Sequence, residues 1–200
     1  MSPAPGLALA LGGGGARGLA HVGVLAVLER EGLAVRAIAG SSMGGLIGAV
    51  WAAGIPAREI EREVLRLASL KELVKLVDVS VSLSGVTLKG ARVYEYLAER
   101  LGGDLTFDQL RVPFAVVAVD VRSGRELVLR EGPVVEAVRA TISIPGVFAP
   151  VERDGMRLVD GGVLDNVPVG VVRELSEGPV VAVDVLPSFD VNRPGEPPVV

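Results

Sequence analysis

Cysteine is absent from this chain, histidine occurs once, lysine three times, and side-chain amides are confined to Gln109, Asn166 and Asn192. Each shortage closes a branch of chemistry. Without cysteine there are no disulfides, no thiolate nucleophile and no Cys-based zinc site. With His21 alone and carboxylates scattered, no ligand cluster for a metal can be read, and no cofactor is expected. A net charge of −4 gives no electrostatic footprint for nucleic acid, and no nucleic-acid-binding motif occurs. No apolar run approaches the roughly 20 residues of a membrane span. Leu7–Leu11 is too short for a secretory core and has no basic residue before it. The expectation is a soluble cytoplasmic protein with one domain over 1–186 and a loose tail over 187–200, where Pro and Gly accumulate. Half of the 200 residues are hydrophobic, enough for a substantial core.

What is present alternates between strand and helix. Leu7–Leu11 is a short apolar run, followed by a four-glycine loop and a helical stretch from about Ala16 to Glu31. There Leu19, Val22, Val24, Leu25 and Leu28 recur at spacings near three and four. Val35–Ala39 reads as a second strand and Gly44–Ala53 as a helix of small residues. Pro56 opens a charged helix to about Leu67, and Arg92–Leu101, Val134–Ala140 and Val167–Leu175 are further helices. Phe114–Val121 and Glu126–Arg130 flank Ser123-Gly124, and Val151–Arg153 and Met156–Val159 flank Asp154-Gly155, both turn signals. Near-continuous runs at Ala115–Val119 and Val180–Val185 suggest strands buried on both faces. The fold class is α/β, three-layered, with a mainly parallel central sheet.

Gly12-Gly13-Gly14-Gly15-Ala16-Arg17-Gly18 follows a strand and opens a helix, so its unpaired amides favour negative charge. Gly13-x-Gly15-x-x-Gly18 satisfies the dinucleotide pattern, but that site also needs an acid at the end of the second strand. No Asp or Glu occurs from Val35 to Ile55. A P-loop lacks its Lys-Ser/Thr. An oxyanion hole fits better, since glycines let main-chain donors approach a reacting carbonyl.

Gly40-Ser41-Ser42-Met43-Gly44 is a G-x-S-x-G elbow between strand and helix. Ser41 competes, yet only Ser42 has glycine at both −2 and +2. Hydrolases with this elbow normally place a histidine after the serine, and here His21 lies before it. A carboxylate acting directly on Ser42 is then the natural base, and Asp160, at the end of the Met156–Val159 strand, is the leading candidate. Asp165 and Asn166 follow at once, and Asp120 and Asp184 also end strands; spacing alone does not place any of them beside Ser42. His21 itself reads as a packed residue of the first helix.

Taken together, Gly13-Gly14-Gly15-Ala16-Arg17-Gly18, Gly40-x-Ser42-x-Gly44 and Asp160-Gly161-Gly162 resemble the patatin-like phospholipase family in its compact bacterial form. Leu19-Ala20-His21-Val22-Gly23-Val24-Leu25, Ala140-Thr141-Ile142-Ser143-Ile144-Pro145-Gly146 and Asp165-Asn166-x-Pro168 agree with it, over residues 6 to 186. The resemblance implies a patatin-like α/β/α fold and a Ser-Asp dyad, with Ser42 as nucleophile and Asp160 as base. It also implies oxyanion donors from Gly13, Gly14 and Gly15, with Arg17, Gly18, Gly40, Gly44, Gly161 and Gly162 as supporting motif positions. The implied activity is hydrolysis of phospholipid or lysophospholipid acyl esters; alternatives on the same fold are a general esterase or thioesterase, or a silent lipid-binding protein. Family members commonly continue past the strand equivalent to Val180–Leu186, which bears on chain-length specificity more than on chemistry.

All three lysines, Lys71, Lys75 and Lys89, lie within 70–89 among Leu73, Val74, Leu76, Val77, Val79, Val81, Leu83 and Leu88. The segment reads as irregular after Asp78. It suits either a short amphipathic helix and loop closing the core or a flap making transient contact with a membrane surface.

Overall fold

The computed structural model describes residues 6–67, 79–82 and 85–187. Its elements are β1 (Gly6–Leu11), α1 (His21–Arg30), β2 (Ala34–Gly40), α2 (Ser42–Ala52), α3 (Ala57–Leu67), β3 (Val79–Ser82), β4 (Gly85–Leu88) and α4 (Ala91–Leu101). They continue with β5 (Phe114–Asp120), β6 (Arg125–Leu129), α5 (Val134–Thr141), β7 (Val151–Arg153), β8 (Met156–Asp160), α6 (Val169–Leu175) and β9 (Val180–Val183).

Alternation along the central strands divides the core in two. Leu9, Leu11, Ile38 and Val116 face one side, where α1 to α5 contribute Leu25, Ile47, Ile60, Leu97 and Val138. Ala8, Ala10, Ala37, Ala39, Ala115 and Val117 face the other, against Val171 and Val172 of α6. Successive side chains of a strand point to opposite faces, so the sequence itself sets which helix layer each strand residue meets. The small alanines let α6 approach closely. The result is the expected α/β/α arrangement.

Sheet direction departs from the expectation of a mainly parallel sheet. β9, β1, β2 and β5 run parallel, whereas β5–β6, β5–β8 and β7–β8 are antiparallel. Tight turns explain the second half. Asp154 and Gly155, at φ 50° and 77°, form the left-handed pair that closes a two-residue hairpin between β7 and β8.

Strand β5 organises the site. Val116 pairs with Leu129 of β6 and with Gly40 of β2; Ala118 pairs with Leu127 of β6 and with Asp160 of β8. A strand has two edges, and β6 holds one along its length. β2 and β8 therefore share the other, running towards each other so that their C-terminal ends meet.

Three further readings are corrected. Residues Gly15–Ala20 form a 3-10 turn, with the α-helix beginning only at His21, and Gly18 within that turn lies tight against Met43 of α2. β5 is buried along all seven residues as expected, but β9 pairs only with β1 among the described residues and leaves Val181 40 % exposed. The chain after Asp78 is not irregular throughout. Val79–Ser82 and Gly85–Leu88 form an antiparallel hairpin with Val79 opposite Leu88 and Val81 opposite Val86, and Leu88 is anchored to the backbone of Val147 and Ala149. Most of the expected lipid-facing segment, and all of the expected tail beyond Pro187, lie outside the described residues.

Candidate active site

At the end of β2, Ser41 stays extended (φ −122°, ψ 140°) and donates its N–H to the Leu11 carbonyl at 3.1 Å. Ser42 then turns into the left-handed region at φ 51°, which only Asp154 shares among the described non-glycine residues. Such a conformation in an L-residue costs about 1–3 kcal/mol and persists where neighbours enforce it. Here the Ser42 N–H is held by Thr141 Oγ1 at 2.9 Å, across from the end of α5. Both flanking glycines are required by space. A Cβ on Gly40 would lie 2.5 Å from Gly45 Cα, and one on Gly44 would fall on the Leu11 carbonyl oxygen.

Asp160 ends β8 and faces this elbow. Ser42 Oγ donates to Asp160 Oδ2 at 2.5 Å, across 118 positions of sequence. The other oxygen, Oδ1, accepts the Gly162 N–H at 2.8 Å, and the Asp160 N–H donates to the Ser143 carbonyl at 3.0 Å. Gly161 leaves no room for a side chain, because a Cβ would fall on the Val117 carbonyl; one on Gly162 would sit 2.9 Å from Asn166 Oδ1. Both Ser42 and Asp160 are buried, at 6 % and 5 % exposure. Burial pushes the Asp160 carboxyl above the ordinary carboxylate range, against the opposing pull of the Ser42 and Gly162 hydrogen bonds. A carboxylate so raised is a better proton acceptor than a solvated one.

The other acids are employed elsewhere. Asp120 accepts from the N–H groups of Arg122, Ser123 and Arg157 and from Ser123 Oγ, closing the β5–β6 turn, which holds its carboxyl down to about 2. Asp184 accepts the Leu186 N–H. Asp165 is half-buried, its carboxyl raised by burial, and its side chain has no hydrogen bond to Ser42.

The glycine loop lies against the serine: a Cβ on Gly13 would be 3.0 Å from Ser42 Cβ. Gly12 donates to the Val183 carbonyl at 2.9 Å and accepts from His21 Nε2 at 2.7 Å. Gly13 donates its N–H to the Asn166 carbonyl at 3.1 Å, so it is not available as an oxyanion donor in this arrangement. Gly14 and Gly15 have no main-chain acceptor among the described residues. Arg17 is exposed on the 3-10 turn.

His21 is fully buried, its pKa lowered by loss of solvent, with Nε2 on Gly12 and Nδ1 without a partner among the described residues. Donation to a carbonyl makes Nε2 the protonated nitrogen. Neither ring nitrogen bonds to Ser42.

Sequence reasoning assigned no role to Thr141, Ser143 or Arg139. Hydroxyls interleaved with apolar residues in Ala140–Ser143 were the available signal, but it carries no partner. Arg139 is buried and reaches Ser143 Oγ and the Lys89 carbonyl, each at 2.6 Å, and the Ala149 carbonyl at 3.1 Å, with its guanidinium 5.2 Å from the Phe148 ring. It thereby braces the loop that holds the Asp160 main chain.

A family model described as patatin-like phospholipase matches residues 9–173, which contain the loop, the elbow and the Asp-Gly-Gly turn. An NTE family protein of Mycobacterium bovis is 38 % identical over 186 residues, 92 % of this chain and 50 % of that protein. Patatin-like phospholipase domain-containing protein 6 of Mus musculus is 30 % identical over 90 % of this chain and 13 % of its own length. The chain thus spans about half the length of the mycobacterial relative. Among solved structures, VipD from Legionella pneumophila superposes with a TM-score of 0.53 at 14 % identity, covering 82 % of this chain and 47 % of that one. The type III effector protein ExoU gives 0.51 at 20 % identity, over 73 % and 42 %. At those identities the two structures speak for the fold, and the family model speaks for descent: this chain belongs to the patatin-like phospholipase family.

Proposed function

We propose that this chain is a serine acyl hydrolase that cleaves acyl esters of phospholipids or lysophospholipids through Ser42 and Asp160. The observation that carries the reading is the 2.5 Å hydrogen bond from Ser42 Oγ to Asp160 Oδ2, with the sole imidazole buried against Gly12. Ser42 Oγ attacks the ester carbonyl as its proton passes to Asp160. The protonated Asp160 then supplies the leaving alcohol, and a water deprotonated by Asp160 hydrolyses the acyl-enzyme. A carboxylate is a weak base for an alcohol, its reference pKa being ~3.9, so transfer is concerted with attack and oxyanion stabilisation carries more of the barrier. The N–H groups of Gly14 and Gly15 are the donors this reading assigns. A lipid substrate is supported by exposed Val163 and Leu164, in the turn that begins at Asp160, and by exposed Val147 in the loop after Ser143. Transient contact with a membrane surface, through these residues and the 70–89 segment, follows from the same reading.

A fluorophosphonate probe tests it, together with hydrolysis of phospholipid and lysophospholipid vesicles. The wild-type protein is expected to label at Ser42 and to release fatty acid; Ser42→Ala and Asp160→Asn, both folded, are expected to do neither at comparable rates. Undiminished hydrolysis by Ser42→Ala would overturn the proposal.

A further inference from the structure

We infer that Asn166 is a positioning residue that fixes the direction of the Gly14 N–H; the inference rests on the proposed role of that N–H as an oxyanion donor. Four consecutive glycines form the least constrained backbone in the chain, since glycine populates both halves of φ space. A donor on such a loop is useful only if something outside it fixes the peptide planes. Asn166 does so with both of its polar ends.

Its main-chain carbonyl accepts the Gly13 N–H at 3.1 Å, and its Nδ2 donates to the Gly13 carbonyl at 3.3 Å. The second contact is the informative one. The Gly13 carbonyl and the Gly14 N–H belong to one planar trans peptide and point in opposite directions, so holding the oxygen fixes where the hydrogen points. Across the preceding peptide, His21 Nε2 holds the Gly12 carbonyl while the Asn166 carbonyl holds the Gly13 N–H. Two successive peptide groups are therefore gripped, and the second of them carries the Gly14 N–H, which has no main-chain acceptor among the described residues.

The fit is specific to these residue types. A Cβ on residue 13 would lie 2.7 Å from Asn166 Oδ1 and 3.0 Å from Ser42 Cβ, so a side chain there would push the Asn166 amide out of this position. Position 166 needs a side-chain N–H donor, which aspartate of the same shape lacks when ionised. Asn166 also follows closely on Asp160, Gly161 and Gly162, so one turn presents the proposed base and steadies the proposed donor.

The experiment compares wild type, Asn166→Asp and Asn166→Ala on one ester in two forms, the ordinary carbonyl and its thiono analogue. Sulfur is a poor hydrogen-bond acceptor, so the oxo-to-thiono rate ratio reports how much the oxyanion donors contribute. Rates are normalised to phosphonate-titrated Ser42, so loss of folded protein does not enter. Both variants are expected to lose about 10²-fold in kcat, the scale of one such donor, with KM nearly unchanged. The oxo-to-thiono ratio is expected to fall by about tenfold or more. A purely structural role would lower both rates together, and an unmoved ratio in a folded variant overturns the inference. Failure of both variants to fold also overturns it, making Asn166 a stability residue. If wild type and Ser42→Ala hydrolyse the oxo ester equally, the underlying functional reading fails as well; Ser42-dependent turnover with an unmoved ratio removes the role of Asn166 alone.

Discussion

Replacing Thr141 by valine removes one oxygen and leaves the Ser42 N–H, at the strained elbow, without its 2.9 Å acceptor. Thr141 is fully buried, so water does not substitute. An orphaned buried donor costs about 1–3 kcal/mol. Taking about 2 kcal/mol, and about 2–4 °C per kcal/mol for a domain of this size, Tm should fall by about 4–8 °C. The effect on turnover should be larger. The N–H bond is one of the forces that keep Ser42 at φ 51°, and relaxation towards the helical region would relieve about 1–3 kcal/mol of strain while swinging Oγ away from Asp160. A misplacement of about 1 Å costs on the order of 10²-fold in rate. Thr141→Ser supplies the contrast. It keeps the acceptor and loses only the methyl, which lies where a Cβ on Gly45 would sit 2.9 Å from it. That should cost about 1 kcal/mol and little kcat. Thermal denaturation and kcat per titrated serine measure both effects. A Thr141→Val protein that melts within about 1 °C of wild type, with kcat within about twofold, would refute the account of what holds the elbow.

Asp160→Asn should be inactive yet at least as stable as wild type at pH 7. The folded carboxyl is raised by burial above its ordinary 3.8, so its contribution to stability is fully present below that value and is lost as pH rises through the folded one. The variant lacks this dependence, so its Tm advantage should grow from pH 4 to pH 8, and a shrinking advantage would contradict the assignment of burial as the dominant cause. His21→Gln keeps a donor for the Gly12 carbonyl but not a titrating base. Its kcat profile between pH 5 and 8 should overlay that of wild type, and a limb near the ordinary histidine value in wild type alone would restore a catalytic imidazole. Asp120→Asn should lower Tm at neutral pH through its turn contacts, because a depressed carboxyl stabilises above its unfolded pKa; the difference should close as pH falls towards about 2. A gap that stays constant with pH would point to lost packing instead.

Residue types and order marked Ser42 as the candidate nucleophile, because glycines at −2 and +2 are local steric demands, while Asp160 was singled out among several acids only by the family resemblance. Their meeting was not legible. It depends on β8 pairing antiparallel with β5, on the edge that β2 has left, and a pairing across about 40 positions leaves no mark in local periodicity. The same limit hid the sheet's mixed direction, and it made Val180–Val183 look like an interior strand when it lies at the edge of the described sheet. His21 as a packed residue was readable from its place on an apolar helix. Thr141 and Asn166 were visible as letters near the right motifs, but a hydrogen-bond partner is a property of three-dimensional packing. For the same reason Gly13, expected among the oxyanion donors, has its N–H taken up by the Asn166 carbonyl.

The shared edge of β5 acts as a ruler. Gly40 sits opposite Val116 and Asp160 opposite Ala118, a step of two residues, or roughly 7 Å of strand. Sliding β8 by a single residue would turn the carboxyl to the opposite face; sliding it by two would carry the group beyond hydrogen-bonding range. Under the proposed mechanism, reactivity of Ser42 is thus a stringent report on strand alignment. Molecules with normal helicity but a slipped β8 would be soluble and silent, and the fraction of chains that react with a phosphonate would count the aligned ones.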